Sequence, residues 1–111
     1  MIYRAMKQDA PRRSELSRFG EPATLVLLAL SSGPMHGYAM MTAIERDLGF
    51  KLGAGTLYGA IAKLLKLGMI QALDSEDRAK PYEITDVGRL ALAEFIGLWT
   101  PALRYGQTRL A

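Results

Sequence analysis

A mainly α fold with a small two-stranded β wing is predicted by three observations. The stretch Gly53-Ala-Gly-Thr-Leu-Tyr-Gly-Ala-Ile-Ala-Lys-Leu-Leu-Lys-Leu-Gly-Met-Ile70 reads as a short amphipathic helix that stops at a glycine and runs straight into a strand. Two helical patterns precede it. A charged loop, a returning strand and a further helix follow it. That order is the layout of a winged helix-turn-helix with an additional C-terminal helix. The chain divides accordingly into a basic N-terminal arm over 1–20, the winged helix-turn-helix over 21–85, and a C-terminal dimerisation helix over 86–111.

Each element has a local reason. Residues 1–20 lack sustained periodicity and include Pro11, which marks an arm. Pro22 suits a first helical position, where its missing N–H would have no partner. Almost every residue from Ala23 to Leu30 is apolar, so this helix should be buried on most sides. Gly33 offers a left-handed cap, and Pro34 cannot continue the helix. The second helix is expected from His36-Gly37 to Gly49, with Tyr38, Met41, Ile44 and Leu48 on its inner face. The third is expected from about Gly55 to Leu67. Leu57, Ile61, Leu64 and Leu65 form its inner stripe, and Thr56, Gly59, Lys63 and Lys66 its outer one. Gly68 is a suitable residue just past the helix end. Strands are expected at Met69–Leu73 and Pro81–Ile84, and Thr85 as the N-cap of a last helix from Asp86 to about Trp99. Thr100-Pro101 should break that helix, or kink and restart it.

Composition narrows the function. With 111 residues the chain fits one domain. It has no cysteine and one histidine, which excludes disulfides, thiolate chemistry and a histidine-cysteine metal site. No cofactor is expected. The longest strongly apolar run, Leu25–Leu30, is far below the ~20 residues of a membrane span, and the first 20 residues lack the apolar centre of a signal peptide. A cytoplasmic location fits. Nucleophile, paired base and oxyanion site are all missing as a set, so an enzyme is not expected.

The net charge of +3 is localised. Residues 1–18 hold Arg4, Lys7, Arg12, Arg13 and Arg18 against Asp9 and Glu15, and the remainder is neutral. Such an arm suits phosphate or minor-groove contact, through Arg12 and Arg13 among others. A solvated tail has the same composition, and both readings stay open.

The third helix is the candidate recognition helix. One face is apolar and can seat on the first two helices. The other is small and polar, with Lys63 and Lys66 to neutralise phosphates and Thr56 and Tyr58 near the helix start. Gly59 in mid-helix costs ~1 kcal/mol relative to alanine. Close approach by DNA would account for it, and so would a tight helix crossing. In the wing, Arg78 and Lys80 could reach phosphate, but Asp74, Glu76 and Asp77 outnumber them. The expected partner is double-stranded DNA, read as an inverted repeat.

Leu27-Leu-Ala-Leu30, Gly33-Pro-Met-His-Gly-Tyr38, Gly55-Thr-Leu-Tyr58, Leu67-Gly-Met-Ile70, Lys80-Pro-Tyr-Glu-Ile-Thr85 and Gly88 together resemble the PadR-like family of bacterial transcriptional regulators. The resemblance covers roughly residues 22–99. It implies a homodimer, usually a repressor, joined by the C-terminal helix and commonly relieved by a small aromatic or amphipathic molecule. Two positions depart from the pattern. Gly59 stands where the family often has proline, and the wing is acidic where the family's is often basic. A winged-helix protein-interaction module that has lost DNA binding is the rival reading.

The last helix carries more apolar surface than one small domain needs. Leu92, Phe95, Leu98, Trp99 and Leu103 are expected at a dimer interface. Some multidrug-sensing members of the resembled family stack flat ligands on a tryptophan at about this place. Trp99 could do so with Phe95, Ile96 and Leu92 as walls, or serve only as an interface anchor. His36 is expected to set up the turn between the first two helices.

Overall fold

The computed structural model describes residues 22–76 and 78–111. The N-terminal arm, with Arg12 and Arg13, and Asp77 in the wing lie outside the described residues. Helix α1 spans 22–30, with Pro22 at its first position. Leu25, Val26, Leu27, Ala29 and Leu30 are buried, which bears out an almost wholly apolar helix as a central one. Gly33 takes φ +146° at the turn that follows, and its N–H donates to the Leu30 carbonyl at 3.1 Å.

Helix α2 spans Gly37–Ala43 and continues as a π-helical turn over Ile44–Leu48, closed by Gly49 at φ 80°. Its inward face agrees with the expected one at Met41 and Ile44 and differs at Tyr38 and Leu48. Gly37, Met40, Ala43 and Ile44 are buried, whereas Tyr38 is 75% exposed and Leu48 lies on the surface. The helix is rotated so that its smallest residue, Gly37, meets the next helix. The wider π turn then carries Leu48 away from the line through Ile44.

Helix α3 spans Ala54–Lys66 and buries Leu57, Ala60, Ile61 and Leu64. Leu65 is exposed rather than inward, because it sits one residue, about 100°, around the helix from Leu64. The helix ends in a Schellman motif. Gly68, at φ 73°, donates to the Leu65 carbonyl at 3.1 Å, and Met69 to that of Leu64 at 3.0 Å. The chain therefore leaves α3 already turned into the wing.

Strands β1 (Ile70–Ala72) and β2 (Tyr82–Ile84) pair antiparallel, with Ile70 opposite Ile84, Gln71 opposite Glu83 and Ala72 opposite Tyr82. Met35, in the turn before α2, forms a further antiparallel bridge with Tyr82. Ile70 and Ile84 point into the core with Leu92 from the last helix.

Helix α4 spans Asp86–Leu110. Thr85 caps it as expected, accepting from the Gly88 N–H at 3.1 Å. The expected break at Thr100-Pro101 does not occur; the helix runs through Pro101. Proline there removes one main-chain bond, to the carbonyl of Gly97, and on an exposed helix water can take the donor's place. Only Gly88 and Leu92 of α4 are buried. Beyond Leu92 the helix stands clear of the protomer core. Among the described residues no helix is long and apolar enough to cross a membrane.

Candidate nucleic-acid interface

Core packing fixes which face of α3 is presented. With Leu57, Ala60, Ile61 and Leu64 facing inward, Thr56, Gly59, Lys63 and Lys66 are all exposed. These four positions recur at helical spacing and line one outer strip. Gly59 has open space where a side chain would project, so no helix crossing calls for its small size. The N-cap of α3, Gly53, makes no side-chain capping bond, and the first turn carries no acidic residue. Its N–H groups therefore meet no carboxylate from this turn, an arrangement that favours an incoming phosphate.

Tyr58 has a second role that the sequence does not announce. Its ring and hydroxyl lie so close to Gly37 that a Cβ there would overlap them. The side chain is half-exposed, anchored against the start of α2 along one edge and open along the other. Beside Gly37, Tyr38 projects into solvent next to this contact. It is a candidate contact residue, on the outer side of α2 and not on the core face that its apolar ring suggests.

The wing cations are exposed, and one is engaged. Lys80 Nζ lies 4.0 Å from Asp74 Oδ1, across the loop that joins β1 to β2. At this distance and exposure the attraction is weak and readily exchanged for a phosphate. On α2, Arg46 donates to both carboxylate oxygens of Asp47 at 2.8 Å. The hydrogen bonds from Arg46 hold the Asp47 carboxyl below its usual range. Arg46 is thereby neutralised locally and contributes little to a basic surface.

His36 reaches the same loop. Its Nε2 lies 2.9 Å from the carbonyl oxygen of Ala79, between Arg78 and Lys80 in the chain. The expectation that His36 organises the turn between the first two helices is therefore too narrow, since its side chain spans from that turn to the wing. No short-range pattern in the sequence signals a contact between residues 43 apart.

The C-terminal candidates separate by position. Leu92 is 7% exposed and belongs to the protomer core, which removes it from an outer interface or a ligand wall. Phe95 and Trp99 are one helical turn apart, with ring centroids 6.2 Å from each other and planes inclined at 40°. Ile96 and Leu103 fall on the same side by helical geometry. Leu98 is about 100° around the helix from Trp99 and is highly exposed. Among the described residues no group of three or more His, Cys, Asp or Glu could hold a metal ion.

Comparison with known proteins agrees with this arrangement. An uncharacterized 37.1 kDa protein in transposon TN4556 of Streptomyces fradiae is 43% identical over 72 residues, 65% of this chain. The match spans only 21% of that longer relative. A PadR family transcription regulator from Clostridium difficile R20291 superposes with a TM-score of 0.75 at 21% identity, over 83% of this chain and 100% of that one. Bacillus subtilis PadR, solved in complex with operator DNA, superposes with a TM-score of 0.58 at 22% identity, over 67% of this chain and 46% of that one. The profile of the transcriptional regulator PadR-like family matches residues 26–94, and the chain belongs to that family.

Proposed function

We propose that the protein is a homodimer that binds an operator in double-stranded DNA through α3 and regulates transcription by repression, relieved by a small molecule or a protein partner. The observation that carries this reading is the exposed strip Thr56, Gly59, Lys63 and Lys66, on a helix whose opposite face is the core. A helix so seated can enter a major groove without rearrangement. Family membership and the operator complex of the Bacillus subtilis relative support the same reading. Arg78 and Lys80 supply flanking phosphate contacts. The arm, through Arg12 and Arg13, adds electrostatic affinity without sequence preference.

The second copy is supported by the apolar surface of α4. Phe95, Ile96, Trp99 and Leu103 are exposed in one protomer, more than an isolated small domain leaves in water. The pair Phe95 and Trp99 is also the place where a flat aromatic effector would stack. Such a ligand would act by changing the spacing of the two recognition helices, which must match a DNA turn of roughly 34 Å.

The test is a salt titration of binding to an operator selected by the protein from a pool of inverted-repeat duplexes and to random duplex. Wild-type affinity should fall steeply with salt on both. Lys63→Glu with Lys66→Glu should abolish operator binding. The acidic wing, with Asp74 beside Lys80, favours the rival of an interaction module without DNA binding. Salt-insensitive or absent binding by the wild type would overturn the DNA-binding reading and leave that rival.

A further inference from the structure

The helix-turn-helix and the wing meet at the turn before α2. Met35 donates its N–H to the Tyr82 carbonyl at 3.0 Å, and Tyr82 returns a bond to the Met35 carbonyl at 2.8 Å. One residue on, His36 crosses to the wing loop, its Nε2 2.9 Å from the Ala79 carbonyl. A carbonyl oxygen can only accept, so Nε2 carries the proton and donates. His36 occupies the N-cap of α2, where a short polar side chain would ordinarily bond the helix N–H groups. It makes no such bond. Its side chain is turned to the wing instead.

The wing gains from this bond. Its ladder has three residue pairs, too few for a free hairpin to hold its shape in water. Past the bond from the Leu73 N–H to the Pro81 carbonyl at 2.8 Å, the chain enters the loop that carries Arg78 and Lys80. The Lys80 contact with Asp74 lies within that loop and does not tie it to the helices. His36 does, at the peptide between the two cations. A loop held before binding loses less conformational freedom when it meets phosphate.

We propose that His36 is a positioning residue: its Nε2–H fixes the Ala79 carbonyl and so presents Arg78 and Lys80 to the DNA that α3 contacts. The inference rests on the DNA-binding reading above, and its test separates the two. Glutamine places its amide nitrogen at about the reach of Nε2, whereas asparagine is one bond too short. His36→Gln should therefore behave as wild type and His36→Asn should not. The first readout needs no DNA. Trypsin can cut the wing after Arg78, while the bond from Lys80 to Pro81 resists it. Nicking at Arg78-Ala79 in the folded full-length protein should be several-fold faster in His36→Asn and unchanged in His36→Gln.

The second readout is operator binding against salt. His36→Asn should lower the salt slope by about two, the two wing cations, and His36→Gln should restore it. In an Arg78→Ala, Lys80→Ala background, His36→Asn should have no further effect on affinity. Equal nicking in the asparagine and glutamine variants would overturn the strut. A loss of affinity that persists without Arg78 and Lys80 would overturn it too, because His36 would then act on DNA directly. Should the wild type show no salt-dependent DNA binding, the presentation of cations fails with that reading. The nicking pattern alone then decides whether His36 holds the loop.

Discussion

The Tyr58 side chain rests on the α-carbon of Gly37, so closely that no larger residue fits at 37 while the ring stays in place. This contact joins α3 to the start of α2. The atoms that a Cβ would meet are the far end of a half-exposed side chain, which can swing into solvent. Gly37→Ala should therefore fold. Its own helix position gains from alanine, by about 0.4–1 kcal/mol, and the displaced Tyr58 offsets that gain. In a Tyr58→Ala background the offset is gone, and Gly37→Ala should be stabilising in urea melts. Operator affinity should fall in Gly37→Ala to near the level of Tyr58→Ala. A Gly37→Ala protein with wild-type affinity would show that the placement of Tyr58 is irrelevant to binding.

Gly88 presents the opposite case. A Cβ there would meet the Met69 carbonyl, which is main chain, and Ile84 Cγ1 at 2.8 Å. Neither can move without shifting the β1–β2 pairing or the start of α4. Gly88→Ala should destabilise by about 1–3 kcal/mol despite the better helix propensity of alanine. Chemical denaturation of wild type and variant measures it directly. A neutral or stabilising result would mean that α4 can tilt off the wing at little cost.

Thr85 holds the same junction with one oxygen. Its hydroxyl donates to the Gly68 carbonyl at 2.6 Å and accepts from the Gly88 N–H at 3.1 Å. Its own N–H donates to the Met69 carbonyl at 3.0 Å. The end of α3 and the start of α4 are thus clamped across the base of the wing. Thr85→Ala should cost about 1–2 kcal/mol, and Thr85→Ser, which keeps both side-chain bonds, well under half of that. Equal losses in the two variants would assign the effect to the threonine methyl rather than to the hydroxyl.

Much of this junction was legible in the sequence because it is local. Gly68 after an apolar helix, and Thr85 followed by an acidic residue, are end signals that act within a few residues. The inner stripe of α3 was legible for Leu57, Ile61 and Leu64 for the same reason. The inner face of α2 was legible at Met41 and Ile44 but not at its two ends. Tyr38 and Leu48 are large and apolar, but the closest packing is made by Gly37, whose lack of a side chain leaves no hydrophobic signal. The π turn over Ile44–Leu48 also departs from the 3.6-residue period of an α-helix. Pro101 lies inside α4 although an interior proline costs about 3 kcal/mol through its ring clash and missing N–H, and no local signal in the sequence shows that the helix continues past it. His36 to Ala79 and Met35 to Tyr82 join distant parts of the chain, and no periodicity encodes such pairs.

The apolar side of α4 leads to a final expectation about assembly. Trp99 is the sole tryptophan of the chain, 43% exposed in the protomer and packed on one edge against Phe95. If a second copy covers Phe95, Trp99 and Leu103, the indole passes from water into an apolar contact on association. Tryptophan emission should then shift to the red as the protein is diluted, in step with monomer formation in sedimentation. Leu103→Glu should give the red-shifted spectrum at all concentrations, because a carboxylate at the interface would be buried without a partner. Planar aromatic dyes should quench the dimer more than the monomer if they stack at the same place, and Trp99→Phe should weaken their binding while leaving the dimer intact. Quenching that is equal in dimer and monomer would place the dye on an exposed indole and not in a site made by two copies. An emission spectrum that stays constant while the mass changes would put the dimer contact elsewhere on α4, with Leu98, about 100° around the helix from Trp99, as the next residue to charge.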